Sequence, residues 1–187
     1  MYNYLYCYLI NVKLVCESKK SFNLVESFNM KTIDEWLTLY GRDHQNPTNK
    51  LIHWICVPII LFTVFGLLMS IPFPTILNGW INVATIVFTF ALAFYLRIST
   101  PIFLGMIVIG VLFLLGNRLL ENHILPNIGL NLWQFSLIVF VIAWIFQFIG
   151  HKIEGQKPSF FEDLQFLLIG PIWLLSFIYK KIGIKYN

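Results

Sequence analysis

Apolar residues run almost without interruption from Leu51 to Ile71, with His53 the one ionisable group among them. At about 20 residues per bilayer crossing, that stretch suffices for one transmembrane helix. Ile71-Pro-Phe-Pro-Thr75 breaks it. Trp80–Ile98 predicts a second span ending at Arg97, and Pro101–Leu115 a shorter third. Gly116–Leu130 carries Arg118, Glu121 and His123 and reads as a polar loop, after which Leu132–Ile149 predicts a fourth span. A polar stretch over 150–158 follows, and Ser159 with Glu162 has the capping-box spacing that opens a last helix. Gly170-Pro171 is expected to interrupt that helix, which ends among Lys180, Lys181 and Lys185. The fold class predicted is all-α: an integral membrane bundle of about four spanning helices plus a re-entrant or interfacial C-terminal helix.

Ahead of the first span, Thr32 and Glu35 repeat the capping-box spacing. Ile33, Trp36, Leu37 and Tyr40 then recur at i, i+3, i+4 and i+7, one apolar stripe on a short interfacial helix that Gly41 is expected to stop. Pro47 suits the first position of the next helix, where its missing amide would lack a partner anyway. Residues 1–29 differ in character. The tyrosine-rich opening is interrupted by Asn3, Asn11 and Lys13, and lacks the basic start and small-residue cleavage site of a signal peptide. Met30 is expected to be the natural start, residues 1–29 a poorly ordered extension, and residues 30–187 one transmembrane domain.

Composition supports the membrane reading. The chain is 58% hydrophobic and 12% charged, whereas soluble domains are about half apolar and about a quarter charged. Its net charge of +4 is scattered rather than gathered on one face, which argues against nucleic-acid binding. Cys7, Cys16 and Cys56 have no metal-binding or disulfide spacing. Trp54, Trp80, Trp133 and Trp173 lie near span ends or breaks, where aromatic belts form. Four crossings return the chain to the side on which it began. Lys31, Arg42, Lys50, Lys152 and Lys157 flank the first and fourth spans, so both flanks are expected to face the cytoplasm.

That topology brings two histidine-bearing segments to one membrane face. Asn49 and His53 are four apart and share a helix face, with His44 on the turn before Pro47. His151 and Glu154 are three apart and share a face if the helix continues past Gly150. Ionisable groups at or just inside a span are functional candidates by default. Two or three imidazoles with a carboxylate match the ligand set of non-haem Fe(II), and zinc accepts the same donors. Against this stands the interfacial anchor, a common role for a single histidine at a helix end. His123, on the opposite face, reads as a solvated loop residue. Glu154 and Asn49 are the candidate catalytic residues, although Glu154 has an ordinary ion-pair partner in Lys157.

The pattern Tyr40…His44…Pro47…Asn49-Lys50…His53…Pro58, followed by Gly150-His151…Glu154…Pro158, resembles the Mpo1-like family of small membrane proteins over residues 30–186. The resemblance implies an Fe(II)-dependent dioxygenase that uses molecular oxygen to shorten 2-hydroxy fatty acids by one carbon. It implies His44, His53 and His151 as metal ligands, with Glu154 at the family's acidic position, in the endoplasmic reticulum or a bacterial inner membrane. Ser159 stands where alanine is expected, residues 121–130 have no counterpart, and no fourth ligand histidine is evident. A 2-hydroxy acid can chelate iron through its carboxylate and hydroxyl, so three facial histidines would complete the set. The alkyl tail is expected between the spans, among residues such as Phe62, Phe65, Phe88 and Phe94, and Lys50 or Lys152 would attract the headgroup carboxylate. Two other classes compete: a non-catalytic membrane transporter or assembly protein, and a zinc-dependent membrane hydrolase with Glu154 as base.

Overall fold

The computed structural model describes residues 32–42, 44–74, 79–155 and 160–186, the side chains of 160–166 excepted. The expectations for residues 1–29 and for the Ser159–Glu162 cap lie outside the described residues. Helix α1, Ile33–Arg42, opens with Asp34 and Glu35 in its first turn, where the positive end of the helix dipole favours acids. It buries Ile33 and Tyr40 and runs one residue past Gly41.

Asn46 then caps α2, Pro47–Met69. Its side chain accepts from the backbone amides of Thr48 and Asn49, at 2.9 and 3.4 Å, while Pro47 fills the first turn at no hydrogen-bond cost. Helix α3, Val83–Ile98, starts from a reciprocal cap between Asn82 and Thr85. Helix α4, Thr100–Leu119, starts from the Ser99 side chain, and α5 and α6 span Leu132–Glu154 and Phe160–Ile182. Helix α2 is the hub: its longest seam runs along α5, and it also touches α3, α4 and α6.

Three expectations are corrected, and the continuation past Gly150, left open by the sequence, is found. The segment 116–130 is helical rather than a loop, because α4 continues through a π turn, Leu120–Ile124, and a 3-10 turn, Leu125–Ile128. Asn117 and Leu125 turn inward there while Glu121 and His123 face out, so the polar residues ride on the outside of a continuing helix. The third span is accordingly longer than 101–115. Helix α5 passes through Gly150 and ends at Gly155, whose φ of +78° allows its amide to close on the His151 and Lys152 carbonyls. Finally, α6 runs unbroken through Gly170-Pro171. A proline inside a membrane helix is tolerated when neighbours re-satisfy the backbone. Tyr95 of α3 tethers this stretch by donating its hydroxyl to the Leu168 carbonyl at 3.1 Å, while the carbonyl that Pro171 itself leaves without an amide is that of Leu167.

Three helices are long and apolar enough to cross a membrane: α2, α4 with its extension to Ile128, and α5. Helix α3 is apolar but only 16 residues long. Phe90, Leu104, Val108, Leu112, Ile138 and Ile145 lie exposed on the bundle's outside, a surface that suits lipid and not water. In lipid, apolar burial gives helices little reason to associate, so small residues that admit close packing take over. Gly66 of α2 shows this: a Cβ there would collide with Ser136 of α5 and Asn117 of α4. Asn117 in turn donates to the Phe62 and Phe113 carbonyls at 3.1 and 2.9 Å, tying α4 to α2 inside the bundle.

Gly66→Ala is expected to lower the thermal unfolding midpoint in detergent, at an overpacking cost of about 1–3 kcal/mol. Adding Ser136→Gly should recover part of the loss, and a melting curve for each variant measures both effects.

Candidate metal centre

The α1–α2 connection is short. His44 leaves α1 and its ring stacks on Tyr40, with centroids 4.2 Å apart and planes 5° from parallel. Its Nδ1 lies 2.6 Å from the Tyr40 carbonyl oxygen, to which it donates. His53 stands on the buried face of α2, and its Nδ1 forms a 3.2 Å hydrogen bond with the Tyr40 hydroxyl. His151 comes from the last turn of α5, on the face pressed to α2. Gly150 beside it admits that approach, since a Cβ there would run into the Asn49 side chain.

All three rings are buried, at 2%, 2% and 8% exposure, and their centroids lie 4.2 Å (His44–His53), 5.0 Å (His53–His151) and 5.4 Å (His44–His151) apart. One nitrogen from each falls within 4.8 Å of the others, which makes a triad that could hold a metal ion. Two ligands bonded to one ion at about 2.1 Å stand at most about 4.2 Å apart, so an ion would draw the rings slightly inward. The donor chemistry fits. Histidines that bind metals commonly commit their other nitrogen to a hydrogen bond that fixes the tautomer. Tyr40 does this for both His44 and His53, which leaves Nε2 of each as the nitrogen a metal would take. His53 Nε2 is buried and meets no protein partner among the described residues.

Glu154 is not part of that triad. Its carboxylate accepts from the Gln45 amide at 2.8 Å, the Asn46 amide at 2.9 Å and the Asn49 side-chain amide at 3.0 Å. It therefore sits over the N-terminus of α2, a place where helix amides and dipole both favour an anion. Asn49 is fully buried between the two helices. Together they fasten the connection that carries His44 to the end of α5.

A cavity of about 30 Å³ adjoins the histidines, lined also by Tyr40, Val57, Ile60, Trp144, Gln147 and Leu167. Neither lysine lines it: Lys50 is half-buried outside it and Lys152 is exposed. The phenylalanines expected to hold an alkyl tail do not line it either. Phe62 packs on Phe113, Phe65 on Phe88, and Phe94 on Tyr95. His123 is exposed in the π turn, and Cys56 is a buried free thiol outside the triad. Trp54, Trp80 and Trp133 are well exposed, as a belt residue would be, and Trp80 lies under the Arg118 guanidinium at 3.9 Å. Trp173 is different. It is buried, with its ring 5.2 Å from Tyr40 and 5.5 Å from His44.

In the sequence Tyr40 stands on an apolar stripe and at the head of the family pattern, with no role at the site, and Trp144 and Gln147 carry no role at all. The available signal was spacing: Tyr40 lies four before His44, and Trp144, Gln147 and His151 follow one another at i, i+3 and i+7.

Fold and site thus define a helical membrane protein with a buried histidine triad able to hold a metal. The model of the Mpo1-like family, described as 2-hydroxy-palmitic acid dioxygenase Mpo1-like, matches residues 30–182. The chain is 33% identical over 149 residues to 2-hydroxy-palmitic acid dioxygenase MPO1 of Saccharomyces cerevisiae, an alignment covering 79% of each protein. The chain belongs to the Mpo1-like family. No solved structure matches it.

Tyr40→Phe keeps the ring stacked on His44 but removes the hydroxyl from His53. A metal titration of this variant should show affinity reduced about 10- to 100-fold, the usual effect of losing a group that orients a ligand.

Proposed function

We propose that this protein is an Fe(II)-dependent dioxygenase that shortens 2-hydroxy fatty acids by one carbon within the membrane. One observation carries the reading: His44, His53 and His151, from two segments about a hundred residues apart, converge in a buried cluster in a member of this family. Three nitrogen donors on one side of an ion leave its other positions open, as iron oxygenases require. His44, His53 and His151 would hold a ferrous ion that the 2-hydroxy carboxylate would chelate, and the ion would supply the oxygen chemistry that cleaves the bond between the carboxyl carbon and its neighbour.

The chain's own groups do the positioning. Tyr40 sets the His44 and His53 rings, while Glu154 and Asn49 keep the His44 segment docked on α2. An apolar groove of about 230 Å³, formed by α2, α4 and α6, runs past Trp54, Pro58, Ile109, Leu112 and Leu174. Val57 lines both this groove and the histidine cavity. The groove is the place for the alkyl tail. Bilayer lipid is as apolar as the groove, so its contribution is register and chain-length selection more than affinity. The metal face is assigned to the cytoplasmic side of a bacterial inner membrane or the endoplasmic reticulum, from the lysine and arginine flanks. A zinc hydrolase would need Glu154 as base, and that carboxylate is already occupied by three N–H donors.

Anaerobically purified protein given Fe(II), oxygen and 2-hydroxypalmitic acid should consume oxygen and release a product one carbon shorter, as read by an oxygen electrode and mass spectrometry. His53→Ala should lower the rate at least about 100-fold, while His123→Ala leaves it unchanged. A fully active His53→Ala enzyme would refute the reading. Ile109→Trp, which fills the groove, should depress kcat/KM for long-chain acids more than for short ones.

A further inference from the structure

We propose that Trp144 and Gln147 are the residues that bind the substrate carboxylate, so that the acid is read from α5 rather than by a lysine; this rests on the 2-hydroxy acid reading above. Trp144, Gln147 and His151 occupy one face of α5, at i, i+3 and i+7, and all three line the histidine cavity. The indole Nε1 of Trp144 and the amide Nε2 of Gln147 are both buried, and neither meets a protein partner among the described residues. Gln147 as a whole is only 7% exposed.

An orphaned donor in an apolar interior is costly, about 1–3 kcal/mol each. Two such donors on one wall of one cavity, beside a triad able to hold a metal, point to a ligand that brings acceptors. The indole can only donate, and the Gln147 amide brings an unpartnered NH₂ donor. Val57, Ile60 and Leu167, which also line the cavity, offer no side-chain hydrogen bond. A group with several acceptor oxygens and no need of a further donor satisfies that arrangement, and a carboxylate is such a group. Lys50 and Lys152 lie outside the cavity. Charge-assisted hydrogen bonds from neutral donors therefore replace an ion pair, which spares the protein a buried ammonium within the bilayer.

The donors also confer specificity. A site built to hydrogen-bond a polar group rejects analogues that lack it, because its own donors then stay unpaired. An alkane would leave both N–H groups orphaned; a 2-hydroxy acid satisfies them.

The test uses full-length protein in detergent, loaded with Fe(II) and held without oxygen so that no turnover occurs. Binding of 2-hydroxypalmitic acid is measured by calorimetry, and metal content by elemental analysis, for the wild type, Trp144→Phe and Gln147→Met. Both substitutions keep an apolar body of similar shape and delete the donor. The expected result is metal retained at the wild-type level with Kd raised about tenfold in each variant, the effect of one lost hydrogen bond to a charged group. Unchanged Kd in both metal-replete variants would overturn the assignment. Loss of metal without a change in Kd per loaded site would overturn it as well, and would place the two residues in the metal site. Wild-type protein that holds iron yet binds no 2-hydroxy acid would instead remove the functional reading on which the assignment stands.

Discussion

The Glu154 carboxylate gathers two backbone amides of the α1–α2 connection and the side-chain amide of Asn49. It comes from the last residue of α5, and the groups it holds lie more than a hundred positions earlier in the chain. Everything at the candidate site follows from that clamp. It presses the turn bearing His44 onto the start of α2, next to His53, and it does so from the same helix end that delivers His151. Remove the clamp and nothing but a three-residue connection between α1 and the α2 cap holds His44.

Around the clamp the bundle solves a problem that soluble proteins do not have. With lipid outside, apolar surface gains nothing by turning inward, so the helices are held by close approach and by hydrogen bonds. Gly66 against Ser136, Gly150 against Asn49, and Asn117 bonded to two neighbouring carbonyls are the instances along α2. The same packing that seats α5 on α2 sets the separation of His53 and His151. Stability and site geometry therefore rest on the same seam, and Gly150 belongs to both.

Much of this was legible in the residues. The Pro47 start, the break after Met69 and the shared faces of Asn49 with His53 and of His151 with Glu154 follow from helical spacing and cap chemistry. The convergence of the two segments was reachable from span counting. Other features were hidden for physical reasons. Gly116–Leu130 contains enough charge to read as a loop, yet a helix end tolerates charge on its outer side while Asn117 faces in. Gly170-Pro171 looks like a break, yet α6 runs through it, with Tyr95 of another helix bonded to the Leu168 carbonyl alongside. Tyr40 looks like an apolar stripe residue until its carbonyl and hydroxyl are both seen to hold histidines. Trp144 and Gln147 were silent because nothing local marks an N–H that has no partner.

The central claim is that His44, His53 and His151 together hold one iron ion. The most direct measurement is elemental analysis of the protein purified without oxygen, alongside His44→Ala, His53→Ala and His151→Ala, each confirmed as folded by circular dichroism. The account predicts iron near one equivalent per chain in the wild type and its loss from all three variants. Folded wild-type protein with no bound metal, or variants that keep their iron, would contradict it.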